Sequence, residues 1–225
     1  MPDLTVVCGA SGGLGPAVAT RLAERGDRVI AVAAPQEERT QLESSVPGVI
    51  WEQADLTSRE PTEELWRRID GQGARVHWLV NITGGYRASR ALETSEEDYR
   101  FLLRLNLDSC WWSCREGARR IAAGGGGGIV NISARQALEG GVGSAAYAVS
   151  KAAVLRLSQV LAAELKPDRV RVNVLLPTLI DTPANRAQRS PEAMRNAVSP
   201  DSLADTIAWL CSDESGAVTG AALTV

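Results

Sequence analysis

Tyr147 and Lys151 stand four residues apart in a segment, Ala145 to Leu165, whose apolar periodicity predicts a helix. Residues at that spacing share a helix face, so a phenol and an ammonium can address the same cleft. A free tyrosine titrates near pH ~10, and a neighbouring ammonium favours the phenolate, so the pair predicts a phenol tuned toward general acid and base work. Alone, such a pair is equally a solvated stretch of an amphipathic helix. A second feature changes the balance: Gly9-Ala10-Ser11-Gly12-Gly13-Leu14-Gly15 follows the apolar run Leu4 to Cys8 and opens an amphipathic helix, Gly13 to Arg25. Glycine there lets the chain turn tightly and approach a pyrophosphate, and a helix N-terminus offers free N–H groups and positive dipole.

The elements that must position these groups follow from periodicity. Short apolar runs predict strands at Leu4 to Cys8, Arg28 to Ala33, Gly48 to Gln53, Val76 to Asn81, Gly128 to Ser133, Val170 to Leu176 and Ala221 to Val225. Longer amphipathic runs predict helices at Gly13 to Arg25, Arg59 to Ile69, Glu96 to Ala122, Ala145 to Leu165 and Ser202 to Cys211. Alternation of this kind implies an α/β fold: a Rossmann-type doubly wound parallel sheet of seven strands with helices on both faces, forming one domain over residues 1–225. Such sheets bind ligands at the carboxyl ends of their strands. Gly140 to Ser144, ahead of the Tyr147 helix, falls at that edge. The Gly124 to Gly128 run reads as a flexible loop without chemistry.

Lys and Arg number 24 against 27 Asp and Glu, a net charge of -3, and no block of like charge marks a nucleic-acid or membrane surface. A small-molecule substrate is the expectation. Cys8, Cys110, Cys114 and Cys211 lack CxxC spacing and lie in apolar segments, as buried reduced cysteines do. The polar start at Met1, Pro2 and Asp3 and the want of a long apolar run predict a soluble, cytoplasmic protein. His77 is the only histidine and reads as structural, and no metal site is expected.

The glycine spacing Gly9-x3-Gly13-x-Gly15 resembles that of the short-chain dehydrogenase/reductase family, and further segments agree in family order. Asp55-Leu56 is similar to its adenine-contacting aspartate, and Asn81-Ile82-Thr83-Gly84 to its Asn-Asn-Ala-Gly segment. Asn106 stands at its catalytic asparagine, Tyr147-x3-Lys151 matches its signature, and Pro177 to Pro183, with Ile180 and Thr182, resembles its nicotinamide loop. The resemblance implies a nicotinamide cofactor held by Gly9, Ser11, Gly13, Leu14, Gly15, Ala33, Asp55, Leu56, Asn81, Gly84, Tyr147, Lys151, Pro177, Ile180 and Thr182. It also implies that Tyr147, Lys151 and Asn106 are catalytic, Lys151 binding the ribose and Asn106 a water that joins Lys151 to solvent. A homodimer or homotetramer built on the Asn106 and Tyr147 helices is a further implication, with Cys110, Trp111, Trp112 and Cys114 as packing residues. An acid after the second strand would bind a ribose diol; Val32-Ala33-Ala34-Pro35 supplies none, and Gly12 stands where a basic residue often favours NADP. NADP(H) is therefore expected over NAD(H), and Arg39 is either a phosphate ligand or a solvated helix residue.

The family's serine, thirteen residues before the tyrosine, is Ala134 here. Ser133 is adjacent, but successive strand residues point to opposite faces, so it substitutes only where the strand end twists or slips by one; Ser144 and Gln136 are the other substitutes. Losing one preorganised donor costs on the order of 10² to 10³ in rate. The dihydropteridine reductase branch also lacks this serine, and Gly84-Gly85-Tyr86, Ala134 to Leu138 and Asp181 to Arg186 resemble its segments. That resemblance implies hydride transfer between nicotinamide and a small carbonyl, imine or quinonoid substrate. The alternative is a non-redox enzyme on the same scaffold, a dehydratase or cyclase; a non-catalytic regulator fits poorly with retention of Tyr147, Lys151 and Asn106. Arg87 to Arg90 and Arg186 to Arg195 flank the cleft, where they face water or clamp an anionic substrate.

Overall fold

The computed structural model describes residues 4–225; Met1, Pro2, Asp3 and the side chain of Arg39 lie outside the described part. Seven strands form one sheet, β1 (Leu4–Cys8), β2 (Arg28–Ala33), β3 (Ile50–Gln53), β4 (Val76–Asn81), β5 (Gly127–Ile132), β6 (Val170–Leu176) and β7 (Ala222–Thr224). Every pairing is parallel and the order is β3-β2-β1-β4-β5-β6-β7. Parallel strands need crossover helices, which cover both faces and leave strands such as β1 wholly buried. The helices are α1 (Gly15–Glu24), α2 (Arg39–Ser45), α3 (Arg59–Asp70), α4 (Glu96–Leu102), α5 (Ser109–Ala123), α6 (Ala145–Glu164), α7 (Pro183–Gln188), α8 (Pro191–Met194) and α9 (Pro200–Leu210).

On one face Leu14, Val18 and Leu22 of the α1 region meet Leu203 and Ile207 of α9. On the other, Leu65 and Trp66 of α3 join Cys114 and Ile121 of α5 and Val154 of α6. The sheet reverses its winding between β1 and β4, which opens a crevice at their carboxyl ends. Backbone bonds fix both loops there: Gly9 and Ala10 donate to the Val32 carbonyl at 2.9 Å, and Ile82 donates to that of Cys8 at 2.9 Å.

Two expectations require correction. The helix expected over Glu96 to Ala122 is interrupted by a π-helical turn, Leu103–Asp108, between α4 and α5. Such a turn holds one residue too many for regular i to i−4 bonding, and it contains Asn106. The glycine run is also more than a flexible connection. Gly127 and Gly128 belong to β5, and a Cβ at Gly127, whose φ is +147°, would lie 2.1 Å from the His77 carbonyl oxygen. The short helices α2, α7 and α8 were not anticipated, being too brief for periodicity to show.

Candidate active site

Two adjoining cavities occupy the crevice. The larger, about 600 Å³, is bordered by the glycine turn (Gly9, Ser11, Gly12, Gly13, Leu14), the end of β2 (Ala33 to Gln36), Asp55 and Leu56 after β3, and Gly84, Ile180 and Thr182. Gly9 has φ +84°, and a Cβ there would lie 2.6 Å from the Thr83 nitrogen, so this turn admits only glycine. A Cβ on Gly13 would come within 2.6 Å of the Thr182 methyl, which shows the loop after β6 closing over the turn. Thr182 accepts from the Asn185 N–H to cap α7, and Asn185 donates to the Ile180 carbonyl at 2.8 Å. The opening of α1 and the small-residue cradle suit the phosphates of a dinucleotide.

Other cofactor-site expectations fall differently. Gly15 sits behind the turn, where a Cβ would be 2.1 Å from the Ala10 carbonyl oxygen. Asn81 borders neither cavity; its amide donates to Asn131 Oδ1 at 2.8 Å, and Asn131 donates to Ser158 Oγ at 2.9 Å, a buried polar chain joining β4, β5 and α6. Asp55 borders the larger cavity while accepting from the Thr57 N–H and hydroxyl. Gln53, which carried no sequence signal, donates to the carbonyls of Ala34, Pro35 and Glu37 and so shapes the end of β2. No acidic residue follows β2 at the cavity wall.

The second cavity, about 360 Å³, shares Leu14, Ile82, Gly84, Ile180 and Asn185 with the first and adds Tyr147, Lys151, Ala134, Gln136 and Pro177. Tyr147 and Lys151 therefore meet at one wall, as their spacing on α6 requires. Lys151 is buried, its Nζ donating to the Ile132 carbonyl at 3.0 Å, and burial pushes its pKa down to about 8. Burial pushes Tyr147 the other way, to about 12, with Tyr86 beside it adding to the rise. The phenol is thus not lowered by its lysine neighbour as the sequence suggests, because the ammonium is turned to Ile132 and the desolvation of the phenolate dominates.

Asn106 accepts from the Gly85 N–H at 2.9 Å, donates to the Gly85 carbonyl at 3.1 Å and donates to Ser150 Oγ at 3.0 Å. Ser150 in turn donates to the Tyr147 carbonyl at 2.7 Å. The π turn thereby locks the Gly84-Gly85 backbone to the helix carrying the catalytic candidates; Ser150, adjacent to Lys151, was missed because a serine within a helix has no spacing signature.

Ala134 is buried and places a methyl at the cavity. Ser133 borders it as well, but its hydroxyl is committed to the Lys151 carbonyl at 2.7 Å, and Ser144 donates to the Gly141 carbonyl. Gln136 alone among the suggested substitutes lines the cavity with its side-chain amide free. Tyr86 meets Tyr147 edge to face with centroids 4.9 Å apart, and the Arg189 guanidinium lies 5.0 Å from the Tyr86 centroid. Arg87 pairs with Asp98 and Arg186 with Asp181. All four cysteines are free and buried. Among the described residues no cluster of His, Cys, Asp or Glu could hold a metal ion, and no helix is long and apolar enough to cross a membrane.

A parallel sheet with a glycine cradle at its switch point and a Tyr-Lys pair beside it defines a Rossmann-type oxidoreductase fold. The chain belongs to the short-chain dehydrogenase/reductase family: a family model described as enoyl-(acyl carrier protein) reductase matches residues 9–225. It is 32% identical to mouse (Mus musculus) (3R)-3-hydroxyacyl-CoA dehydrogenase, over 99% of this chain and 94% of that protein. It is 32% identical to L-xylulose reductase of Bos taurus, over 98% and 93% respectively. A solved short-chain type dehydrogenase/reductase from Mycobacterium ulcerans superposes with a TM-score of 0.91 at 27% identity, over 99% of this chain and 88% of that one. The family establishes an oxidoreductase that uses a nicotinamide cofactor.

Proposed function

We propose that this enzyme reduces a small carbonyl, imine or quinonoid substrate, with Tyr147 as the proton donor. The observation that carries the reading is the convergence of Tyr147, Lys151 and Ala134 on a cavity that adjoins the glycine-lined groove. Bound there, the nicotinamide supplies a hydride. The Tyr147 hydroxyl delivers the proton to the substrate atom that gains the electron pair, and Lys151, at a pKa of about 8 and held to the Ile132 carbonyl, keeps a cation at the same cavity wall at neutral pH. Asn106 and Ser150 hold the α6 backbone and Gly85 in register, so the two groups face the cavity together. Because Ala33 to Gln36, the part of the segment after β2 that lines the groove, carries no carboxylate to repel a phosphate, and Ser11 and Gln36 offer polar groups, we read the groove as suited to NADP(H) over NAD(H).

Ala134 supports a second reading. Without a hydroxyl at the cavity end, Tyr147 could serve a dehydratase or cyclase in which no hydride moves. Titrating NADH and NADPH by fluorescence, then following absorbance with ketones, imines, quinones and quinonoid pterins, separates the two. Substrate-dependent oxidation lost in Tyr147→Phe, with cofactor binding retained, is expected. Cofactor binding without oxidation across the panel would favour the non-redox enzyme. We further propose a homodimer or homotetramer packed through the apolar groove between α5 and α6, which includes the half-exposed Trp111 and the partly buried Leu161, to be checked by sedimentation.

A further inference from the structure

The geometry points to a substrate that carries a carboxylate on a planar body, gripped by Arg189 at the mouth of the second cavity; this rests on the reductase reading above. The residues that border that cavity include two cations, Lys151 and Arg189, and no Asp or Glu. Lys151 is buried at the tyrosine end and held to Ile132, which leaves Arg189 to meet an approaching anion. Among the described residues Arg189 has no acidic partner, whereas Arg87 and Arg186, its neighbours around the cleft, are each paired to an aspartate. Its guanidinium is held over the Tyr86 ring, so the fork is oriented rather than free, and a planar guanidinium matches a carboxylate through two parallel hydrogen bonds.

Tyr86 touches both ends of this site. Steps of 4.9 Å and 5.0 Å lead from the Tyr147 ring to the Tyr86 ring and on to Arg189 Cζ. A planar carbonyl compound presented to Tyr147 thus has the Tyr86 ring to lie along and Arg189 beside that ring to receive its carboxylate, and a para-substituted benzaldehyde is the simplest probe of this kind. Gln136 and Gln188 border the same cavity with side-chain amides that have no partner among the described residues, and they add neutral donors without opposing charge.

The test uses 4-formylbenzoate and its methyl ester as probes, titrated by calorimetry into the protein saturated with NADP+, a complex in which an aldehyde is not reduced. The acid is expected to bind at least about tenfold tighter than the ester, and Arg189→Gln to abolish that preference while leaving the ester's affinity unchanged. Arg189→Lys, which keeps the charge and loses the fork, should retain part of the preference. Equal binding of the two probes, no binding of either, or a preference that survives Arg189→Gln overturns the assignment. Turnover with NADPH is read separately: an acid preference lost in Arg189→Gln but unaccompanied by oxidation of NADPH with these aldehydes or with any member of the ketone, imine, quinone and pterin panel sinks the reductase reading and leaves the carboxylate site standing.

Discussion

Replacing Lys151 by Met is expected to make the protein more stable at neutral pH while removing its activity. The lysine is buried and its pKa falls from 10.5 to about 8, with desolvation as the cause. At about 1.4 kcal/mol per unit, holding that ammonium in the fold costs roughly 3 kcal/mol below the folded-state pKa. Met keeps the length and removes the charge, but it leaves the Ile132 carbonyl without its donor, a loss of about 1 kcal/mol. The net gain at pH 7 is therefore roughly 2 kcal/mol. The sign fixes the pH window. Between about 8 and 10.5 the unfolded chain keeps a proton that the folded chain has shed, so the wild type gains stability as pH rises and the advantage of the variant fades. The thiols of Cys8 and Cys211, raised to about 12 by burial, weaken both proteins alike at high pH and drop out of the difference. Urea denaturation of both proteins at pH 7, 8, 9 and 10, with equal m-values as the check on two-state behaviour, gives the comparison. A variant less stable than wild type at pH 7, or a gap that stays flat to pH 10, would refute the reasoning.

Ala134→Ser should restore a hydroxyl at the end of the cavity and raise kcat/KM for simple ketones by roughly 10²-fold, read from NADPH oxidation; a folded variant with no gain would show that the cavity end is not where the oxygen sits. Gly15→Ala puts a methyl 2.1 Å from the Ala10 carbonyl oxygen, a backbone atom that cannot swing away. A loss of roughly 1–3 kcal/mol in thermal unfolding, with weakened NADPH binding by fluorescence, is expected, and an unaffected melting temperature would contradict the close approach.

Much of the frame was legible because burial on both faces leaves parallel strands as near-continuous apolar runs. β1, β2, β4 and β6 fall where Val- and Ile-rich runs put them. Glycines required by close contact are equally visible, as at Gly9 and Gly13. The π turn was not, because Leu103 to Asp108 has ordinary helix-forming residues and its extra residue per turn leaves no mark in composition. Nor could residue types show which polar groups are already engaged. Asn81 looks available in sequence, yet its amide nitrogen is tied to Asn131, and Ser133 looks like a near substitute for the missing serine, yet its hydroxyl is held by the Lys151 carbonyl. The direction of the Tyr147 shift was misjudged for the same reason: spacing places the lysine nearby, but the Ile132 carbonyl decides where its ammonium points.

The turn around Asn106 also bears on how chain length can vary. A π turn is an α turn with one residue inserted, so removing a single residue from 103–108 would return the segment to regular helix with α4 and α5 still in phase on either side. The same deletion made within α5 would instead rotate everything beyond it by about 100° and turn its buried face away from the sheet. Loss of one residue is thus nearly neutral for the architecture at the single place where it would withdraw Asn106 from Gly85 and Ser150. A shortened homologue could keep the whole fold and still lose the alignment of its catalytic helix, which makes the length of this segment a sharper marker of a working site than overall resemblance.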